Sequence, residues 1–348
     1  MAQTLTIPDL MDRIMQIKAD LGNRLVILTH HYQRMEIVDI GDHRGDSFAL
    51  ARRAASDKNA QYIVFCGVHF MAESAAILAG KHQTVQIPDM DAGCWMADMS
   101  DIIMVERAWN QVTQIVGKDR VTPLVYMNSD AAIKAHCGRH NGAVCTSSNA
   151  PKAFAWALDR REKIFFFPDE HLGRNTAYRM GIPESDLLVW DPDKPLGGHD
   201  PFAIKKAKIF LWKGYCLVHT RFTTAQIRAM RRNYPNALIV VHPECTADVV
   251  QAADAVGSTS YIDTYTADAP AGSTIVIGTE INLIRRLARE YPDKTILPLH
   301  DSFCPNMYKI NLKNLHQCLE QIGKKNVVTV DEAIRADASV ALENMLTL

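Results

Sequence analysis

A repeated pattern of short apolar strands that end in polar residues constrains the fold of this 348-residue chain more than any other feature. Segments with helical apolar spacing separate the strands. Continuous apolar strands that alternate with helices are typical of parallel sheets covered on both faces. The pattern therefore predicts an α/β protein of three α/β/α units, each with a short parallel sheet. The predicted strands are 24–32, 62–68 and 84–89 in the first unit, 122–130, 143–149 and 163–169 in the second, and 237–244, 273–280 and 295–300 in the third.

The first and third units align with almost no gaps when one is shifted by 212 residues. This shift places His30 on His242 and Asp42 on Asp254. Agreement at several positions at a single shift indicates repeated α/β units. The middle unit is less regular.

The repeat sets approximate boundaries for the three units. We expect unit 1 at 1–118, unit 2 at 119–219 and unit 3 at 220–348, with the C-terminal helix packing on unit 1. A segment rich in proline and glycine, 182–206, interrupts the second unit. The sequence leaves open whether it is a lid or a surface loop.

Composition excludes several classes of protein. The 38 basic and 39 acidic residues give a net charge of −1, which argues against a nucleic-acid binder. No run of about 18 apolar residues is present, so no membrane span is expected. The N-terminal 20 residues lack the apolar region of a secretory signal and resemble an amphipathic helix. We therefore expect a cytoplasmic protein, and no feature assigns its oligomeric state.

Polar residues cluster where the predicted strands end. In parallel α/β sheets, ligands bind beyond the carboxyl ends of the strands. Helix capping explains any single one of these residues equally well, but their recurrence in three units favours a binding site. The strand-end residues are His30, Tyr32, Tyr126, Asn128, Ser147, His242 and Glu244, with the turns at 45–47 and 257–259.

The eight cysteines contain no C-x-x-C pair, which argues against a zinc ribbon or a thioredoxin-like site. Cys94 and Cys304 each lie six residues after a proline in equivalent units, and Cys216 follows the middle unit. Three dispersed thiolates would suit an iron–sulfur cluster that keeps one iron open. Spacing alone also fits incidental buried thiols. The other five cysteines fit that second interpretation well.

The chain resembles the quinolinate synthase (NadA) family over almost its whole length. The matching motifs keep the family's order throughout. They are THHYQ (29–33), GDS (45–47), GVHFMAES (67–74), IPDMDAGC (87–94), YMNSDAAIKA (126–135), CTSSNA (145–150), FPDEHLGR (167–174), WKGYCLVH (212–219), HPECTADVV (242–250), ADAVGSTS (253–260), IGTE (277–280) and CPNM (304–307).

The resemblance implies three pseudo-threefold-related α/β units around a central active site. It also implies one [4Fe–4S] cluster per chain, held by Cys94, Cys216 and Cys304, whose open iron acts as a Lewis acid. The family condenses iminoaspartate (iminosuccinate) with dihydroxyacetone phosphate to quinolinate, phosphate and water in de novo NAD biosynthesis. A functional coupling to an iminoaspartate-producing enzyme follows from this substrate.

The resemblance also implies roles for the strand-end residues. His30 matches a substrate-binding histidine and Tyr32 a mobile active-site tyrosine. Chemistry favours Glu244, beside His242, as the general base, and Tyr32 as a proton shuttle. Pro298 and Asp301 replace two cysteines that some members carry, so no redox switch is expected. The residues that match substrate-contacting positions are His30, Ser47, Tyr126, Asn128, Ser147, His242, Glu244, Ser258 and Thr259.

Three alternatives remain open from the residues themselves. One is an iron–sulfur hydro-lyase of the aconitase type, which uses an open iron in the same way. A second is a non-catalytic iron–sulfur electron carrier or sensor, which usually has four cysteine ligands. A third is a sugar-binding protein of α/β repeats without metal.

Overall fold

The computed structural model describes residues 6–348 and contains three parallel sheets connected by helices. This confirms the α/β class with three sheets. The first five residues of predicted unit 1, which also begin the predicted N-terminal helix, lie outside the described residues. Within 6–348, no helix combines the length and apolar character needed to cross a membrane.

The described chain forms two compact bodies. The first compact body contains the residues up to Cys94 together with Cys304–Val330. The second compact body contains Trp95–Phe303 and Asp331–Leu348. The first body holds one sheet and the second body holds two. The two compact bodies are therefore not the same as the three consecutive units expected from the repeat.

The first body is built on a sheet with the strand order β2-β1-β3-β4, and all neighbouring strands are parallel. Every residue of its first strand is buried, as its continuous apolar sequence predicts. The strands are β1 (Leu25–His30), β2 (His43–Gly45), β3 (Tyr62–Cys66) and β4 (Thr84–Gln86), and the helices are α1 (Ile7–Leu21), α2 (Met35–Ile40), α3 (Ser47–Ser56), α4 (His69–Leu78) and α15 (Leu312–Glu320).

The second sheet has five strands in the order β6-β5-β7-β9-β8. Its fifth strand comes from the 182–206 segment, for which the sequence analysis allows either a lid or a surface loop. The strands are β5 (Val121–Tyr126), β6 (Ala143–Cys145), β7 (Lys163–Phe167), β8 (Leu187–Trp190) and β9 (Ile209–Trp212), and the helices are α5 (Trp95–Asp98), α6 (Ile102–Val116), α7 (Ala131–Arg139), α8 (Ala150–Arg160), α9 (Glu170–Arg179) and α10 (Pro201–Lys206).

The third sheet also belongs to the second body and has the order β11-β10-β12-β13. This is the strand order of the first sheet, shifted along the chain. The strands are β10 (Leu238–Val241), β11 (Ala255–Val256), β12 (Thr274–Gly278) and β13 (Thr295–Pro298), and the helices are α11 (Thr224–Asn233), α12 (Ala247–Ala252), α13 (Thr259–Asp268) and α14 (Ile281–Glu290).

Matching hydrogen bonds show that the first and third sheets repeat the same local structure. The Asp42 carboxylate accepts from the backbone N–H of Ile27 at 2.8 Å, and the Asp254 carboxylate accepts from that of Ile239 at 2.8 Å. Each residue of the second pair lies 212 positions after its counterpart in the first pair. The repeat read from the sequence is therefore also present in the side-chain contacts that hold each edge strand.

The C-terminal helix α16 (Glu332–Thr347) packs on the second sheet's helices, whereas the sequence analysis predicted packing on unit 1. Asn344 Nδ2 donates to Gly142 O at 2.8 Å, and Arg139 forms an ion pair with Asp337 at 3.1 Å. Gly138 of α7 allows this close approach, because a Cβ there would lie 1.9 Å from Asp337 O. Helix α16 therefore belongs to the second compact body.

Candidate functional site

Glu244 is the centre of a buried polar cluster in the second body. Only 2 % of the residue is exposed. The Tyr126 hydroxyl donates to Glu244 Oε1, and His219 Nδ1 lies 2.7 Å from Oε2. His242 Nδ1 is 4.0 Å from the same oxygen, and its ring stacks on that of His219 with centroids 4.3 Å apart. Both oxygens of this carboxylate therefore have defined partners.

Opposing effects set the protonation state of Glu244. Burial alone would raise the pKa of its carboxyl, because burial disfavours the charged form. The imidazoles of His219 and His242 and the hydrogen bonds from His219 and Tyr126 outweigh burial and lower the pKa to about 2. Glu244 is therefore ionised at neutral pH, and its partner nitrogen on His219 must carry a proton, since a carboxylate only accepts hydrogen bonds.

The ends of parallel strands deliver these side chains, as the sequence predicts. Tyr126 is the last residue of β5, and His242 follows β10 directly. The backbone N–H of Glu244 donates to His242 Nδ1 at 3.4 Å, which fixes the turn that presents the carboxylate. His219 begins a short 3₁₀ turn after β9, and its Nε2 lies 3.1 Å from Thr279 Oγ1.

A second buried carboxyl group, that of Asp169, interacts electrostatically with Glu244. Its Oδ1 accepts from the backbone N–H of Leu172 at 2.8 Å, and its Oδ2 has no hydrogen-bond partner among the described residues. Burial, followed by the charge of Glu244, raises the pKa of Asp169 well above its ordinary value. The environment therefore shifts the pKa values of the two carboxyl groups in opposite directions, upward for Asp169 and downward for Glu244.

The cysteines fall into two classes. The first class consists of fully buried cysteines. Burial raises the pKa of their thiols, which makes them poor metal ligands. Cys94, Cys216 and Cys304 are only half-buried. The class of fully buried cysteines contains Cys66, Cys137, Cys145, Cys245 and Cys318.

Cys216 also belongs to the one group of three side chains, within 6–348, whose ligand atoms could hold a metal ion. The other two are His219 and Glu244, and their ligand atoms lie within 4.8 Å of one another and of the thiol. Sulfur and imidazole are ligands that soft and borderline metals prefer. The donor chemistry at Cys216 therefore fits a metal group.

The other predicted residues of the second body lie at helix starts and loops. Ser258 caps α13, accepting from Tyr261 N at 3.3 Å, and Thr259 is the first residue of that helix. Asn128 and Ser147 lie half-buried in the loops after β5 and β6. No hydrogen bond within the described range joins Asn128 or Ser147 to Glu244. The carboxylate cluster thus gathers Tyr126, His242 and Glu244 but leaves these four residues outside it.

The first body places His30, Tyr32 and Ser47 in positions equivalent to those of the third sheet. The Tyr32 backbone N–H donates to His30 Nδ1 at 3.2 Å, the contact that Glu244 makes with His242. The His30 and Tyr32 rings meet edge to face with centroids 4.8 Å apart. Ser47 is the first residue of α3, where backbone N–H groups favour anions.

The loop that carries Tyr32 is fastened to the segment that follows Cys304. Gln33 Nε2 donates to Met307 Sδ at 3.2 Å, and Arg34 Nη2 donates to Tyr308 O at 2.6 Å. The Arg34 guanidinium also lies over the Tyr308 ring, 4.7 Å from its centroid. Inside the first body, the candidate tyrosine and one of the half-buried cysteines therefore share a structural support.

His219 is the main site residue that the sequence analysis missed. It lies well beyond the end of β9 rather than directly after a strand, and strand ends were the pattern used to select candidates. Its signal in the sequence is the spacing Cys216-x-x-His219 within WKGYCLVH. Asp169 and Thr279 were missed as well, although both directly follow predicted strands or lie at their ends.

The fold and the polar cluster around Glu244 define an α/β enzyme. Its ionised carboxylate, imidazoles and half-buried thiols lie after parallel strands. The family model described as quinolinate synthetase A protein matches residues 12–347. Curated relatives called quinolinate synthase are similar along nearly the full chain. That of Corynebacterium glutamicum is 49% identical over 341 residues, covering 97% of this chain and 86% of the relative. That of Geobacillus sp. (strain WCH70) is 50% identical over 353 residues, covering 99% and 95%.

The chain therefore belongs to the quinolinate synthetase A family. A third relative, from Lysinibacillus sphaericus, is also called quinolinate synthase and is 47% identical over 350 residues, covering 99% of this chain and 95% of its own. Membership in this family makes the chain an enzyme of NAD biosynthesis. It confirms the family predicted from the ordered motifs.

Proposed function

We propose that this chain catalyses the condensation of iminoaspartate with dihydroxyacetone phosphate to quinolinate, phosphate and water. The observation that carries the proposal is the buried Glu244–His219–Tyr126 cluster beside the half-buried thiol of Cys216, in a chain of this family. Proton transfers between adjacent carbons need an acid–base pair of this kind. An upstream reaction that oxidises aspartate would supply the imine substrate.

The proposed cofactor is one [4Fe–4S] cluster held by Cys94, Cys216 and Cys304. The contrast between these half-buried cysteines and the five fully buried ones supports the choice of ligands. With three protein ligands, the bound cluster supplies a Lewis acid at its remaining iron. Thiolate ligands require a reducing compartment, so the proposed place of action is the cytoplasm.

Local groups are proposed to bind the carboxylates and phosphate of the substrates, since the chain has no overall positive charge. Ser47 and Thr259 each begin a helix of ten residues, where backbone N–H groups and the helix dipole favour anions. His30, Asn128 and Ser147 supply further hydrogen-bonding groups. Ser258 serves mainly as a helix cap in this scheme.

Glu244 is proposed to act together with His219 in proton transfer. A carboxylate with a pKa of about 2 is a weak base by itself at neutral pH. Its contact with Nδ1 of His219 fixes the tautomer of that ring and stabilises the imidazolium form when the ring accepts a proton. His242, stacked on His219, completes the imidazole pair.

The proposal is tested by purifying the protein under anaerobic conditions, counting iron and sulfide, and assaying quinolinate by its pyridine-dicarboxylate absorbance. We expect about four irons per chain and product only when both substrates are supplied. Substrate-dependent hydration or dehydration without any need for dihydroxyacetone phosphate would indicate an aconitase-type enzyme instead. A chain without iron would contradict the cofactor assignment.

The hydroxyl of Tyr32 is expected to transfer a proton during the reaction. Tyr32→Phe removes this hydroxyl but keeps the ring that packs on His30. We expect this variant to retain its iron and substrate binding but to lose turnover by about 10²-fold or more, the usual contribution of one acid–base group. Steady-state kinetics measure turnover and substrate binding, and the visible cluster band measures the retention of iron. Tyr178→Phe, at a tyrosine that is 60 % exposed, is the control. Normal turnover in Tyr32→Phe would remove the proton-transfer role.

A further inference from the structure

The motif FPDEHLGR (167–174) leads into helix α9 and has no part in the chemistry proposed above. Asp169 caps this helix through Leu172, and the Glu170 N–H donates to Gly214 O at 2.9 Å. Gly214 is required there, since a Cβ at this position would lie 2.2 Å from Pro168 O. The start of α9 is therefore fixed against the loop that leads to Cys216.

One turn further along α9, Asn175 reaches the turn that carries Glu244. Its side chain is buried, and its Nδ2 donates to Pro243 O at 2.9 Å and to Cys245 O at 2.8 Å. A side-chain amide nitrogen has two hydrogens to donate. Both are used here, on the two carbonyl groups that flank Glu244 in the chain.

The same turn also packs in the hydrophobic core. Cys245 is fully buried in a cluster with Ile239, Val249 and Val276, and its backbone N–H donates to His242 O at 3.0 Å. Asn175 and the core thus both hold this turn. Because Glu244 must meet Tyr126 and His219 at hydrogen-bond distance, its backbone has little freedom to shift.

We propose that Asn175 is a positioning residue that holds Glu244 in register with His219 and Tyr126. This inference rests on the proposed function of Glu244 in proton transfer. Asn175 acts through the backbone on both sides of Glu244. A shift of about 1 Å at a catalytic group costs on the order of 10²-fold in rate, so loss of these two hydrogen bonds should be visible in turnover.

The first test is Asn175→Ala, assayed with iminoaspartate and dihydroxyacetone phosphate. We expect kcat to fall about tenfold to a hundredfold, with KM changed less and iron content retained. Asn344→Ala is the matched control, because Asn344 also donates from Nδ2 to a backbone carbonyl, that of Gly142, outside the cluster. Asn175→Leu keeps the branching and the number of side-chain heavy atoms but has no donor, and it should behave like the alanine variant.

A double-mutant cycle with Glu244→Gln separates positioning from general stability. If Asn175 acts through Glu244, Asn175→Ala should cost less than about threefold in the Glu244→Gln background. An equal loss in both backgrounds would overturn the proposal. So would wild-type kinetics in Asn175→Ala.

Amide hydrogen exchange of the peptide that spans 242–246 gives a readout independent of activity. Exchange should be faster in Asn175→Ala than in Asn344→Ala or in the unmodified protein, and unchanged exchange would contradict the proposal. If Glu244→Gln proves fully active, the proposed role of Glu244 fails. The exchange result then still decides whether Asn175 holds this turn.

Discussion

Cys216→Ser is expected to remove most of the bound iron and all measurable quinolinate formation. Serine keeps the size of the side chain but replaces the thiolate, which is the usual ligand of iron–sulfur clusters. Cys94→Ser and Cys304→Ser should have the same effect, because the proposed cluster depends on all three cysteine ligands. The measurements are iron and sulfide content, the visible absorbance band and the quinolinate assay, all under anaerobic conditions.

The five fully buried cysteines provide the controls for this experiment. Alanine is the better replacement there, because a buried serine hydroxyl would add an unsatisfied polar group. Each of these variants should keep its iron and its visible spectrum. Full iron content in Cys216→Ser would overturn the ligand assignment. The control variants are Cys66→Ala, Cys137→Ala, Cys145→Ala, Cys245→Ala and Cys318→Ala.

The long apolar strands were predictable because they are buried on both faces. Residues 25–30 and 163–167 are apolar with few exceptions and entirely buried, so they need no alternation of polar and apolar residues. The short edge strands β2 and β11 were missed, since they contain three and two residues and no apolar run. Strand β8 was missed because it lies in a segment rich in proline and glycine, and the buried apolar strand β9, which follows this segment, was missed as well.

The return of Cys304–Val330 to the first compact body could not be read from local sequence. The contacts that hold it there join residues more than 220 positions apart. Asn314 Nδ2 donates to Asp89 Oδ2 at 2.8 Å, and Asn326 Nδ2 donates to Pro88 O at 2.9 Å. Polar side chains of this kind look like surface residues in a single sequence.

The candidate site was predictable where it follows strands and hidden where it depends on distant contacts. Tyr126, His242 and Glu244 were selected because ligands bind at the carboxyl ends of parallel strands. The low pKa of Glu244 comes from His219, which is 25 residues away, from the neighbouring His242, and from Tyr126, which is 118 residues away. Periodicity and spacing carry no information about the two distant partners, so the sequence indicated Glu244 as a general base but did not indicate its low pKa.

Glu244→Gln is expected to lower turnover by about 10²–10⁴-fold while the cluster remains assembled. Glutamine keeps the shape of the side chain, but its neutral amide cannot stabilise a positive charge on His219. The Tyr126 hydroxyl can still donate to the amide oxygen, so the turn should keep its structure. Glu162→Gln, at an exposed glutamate, is the control for the substitution itself. Iron content, the visible spectrum and steady-state kinetics are the measurements.

The low pKa of Glu244 adds a pH criterion to this prediction. Its pKa is depressed from an ordinary 4.5 to about 2, so its charge is fully present above pH 4.5 and is lost only as the pH falls toward 2. A fall in the rate of the unmodified enzyme between pH 7 and pH 5 must therefore come from another group. Turnover of Glu244→Gln within a fewfold of the unmodified enzyme would show that Glu244 only positions its neighbours. A strong loss at every pH from 5 to 8 is the result expected from a permanently charged carboxylate that stabilises the protonated imidazole of His219.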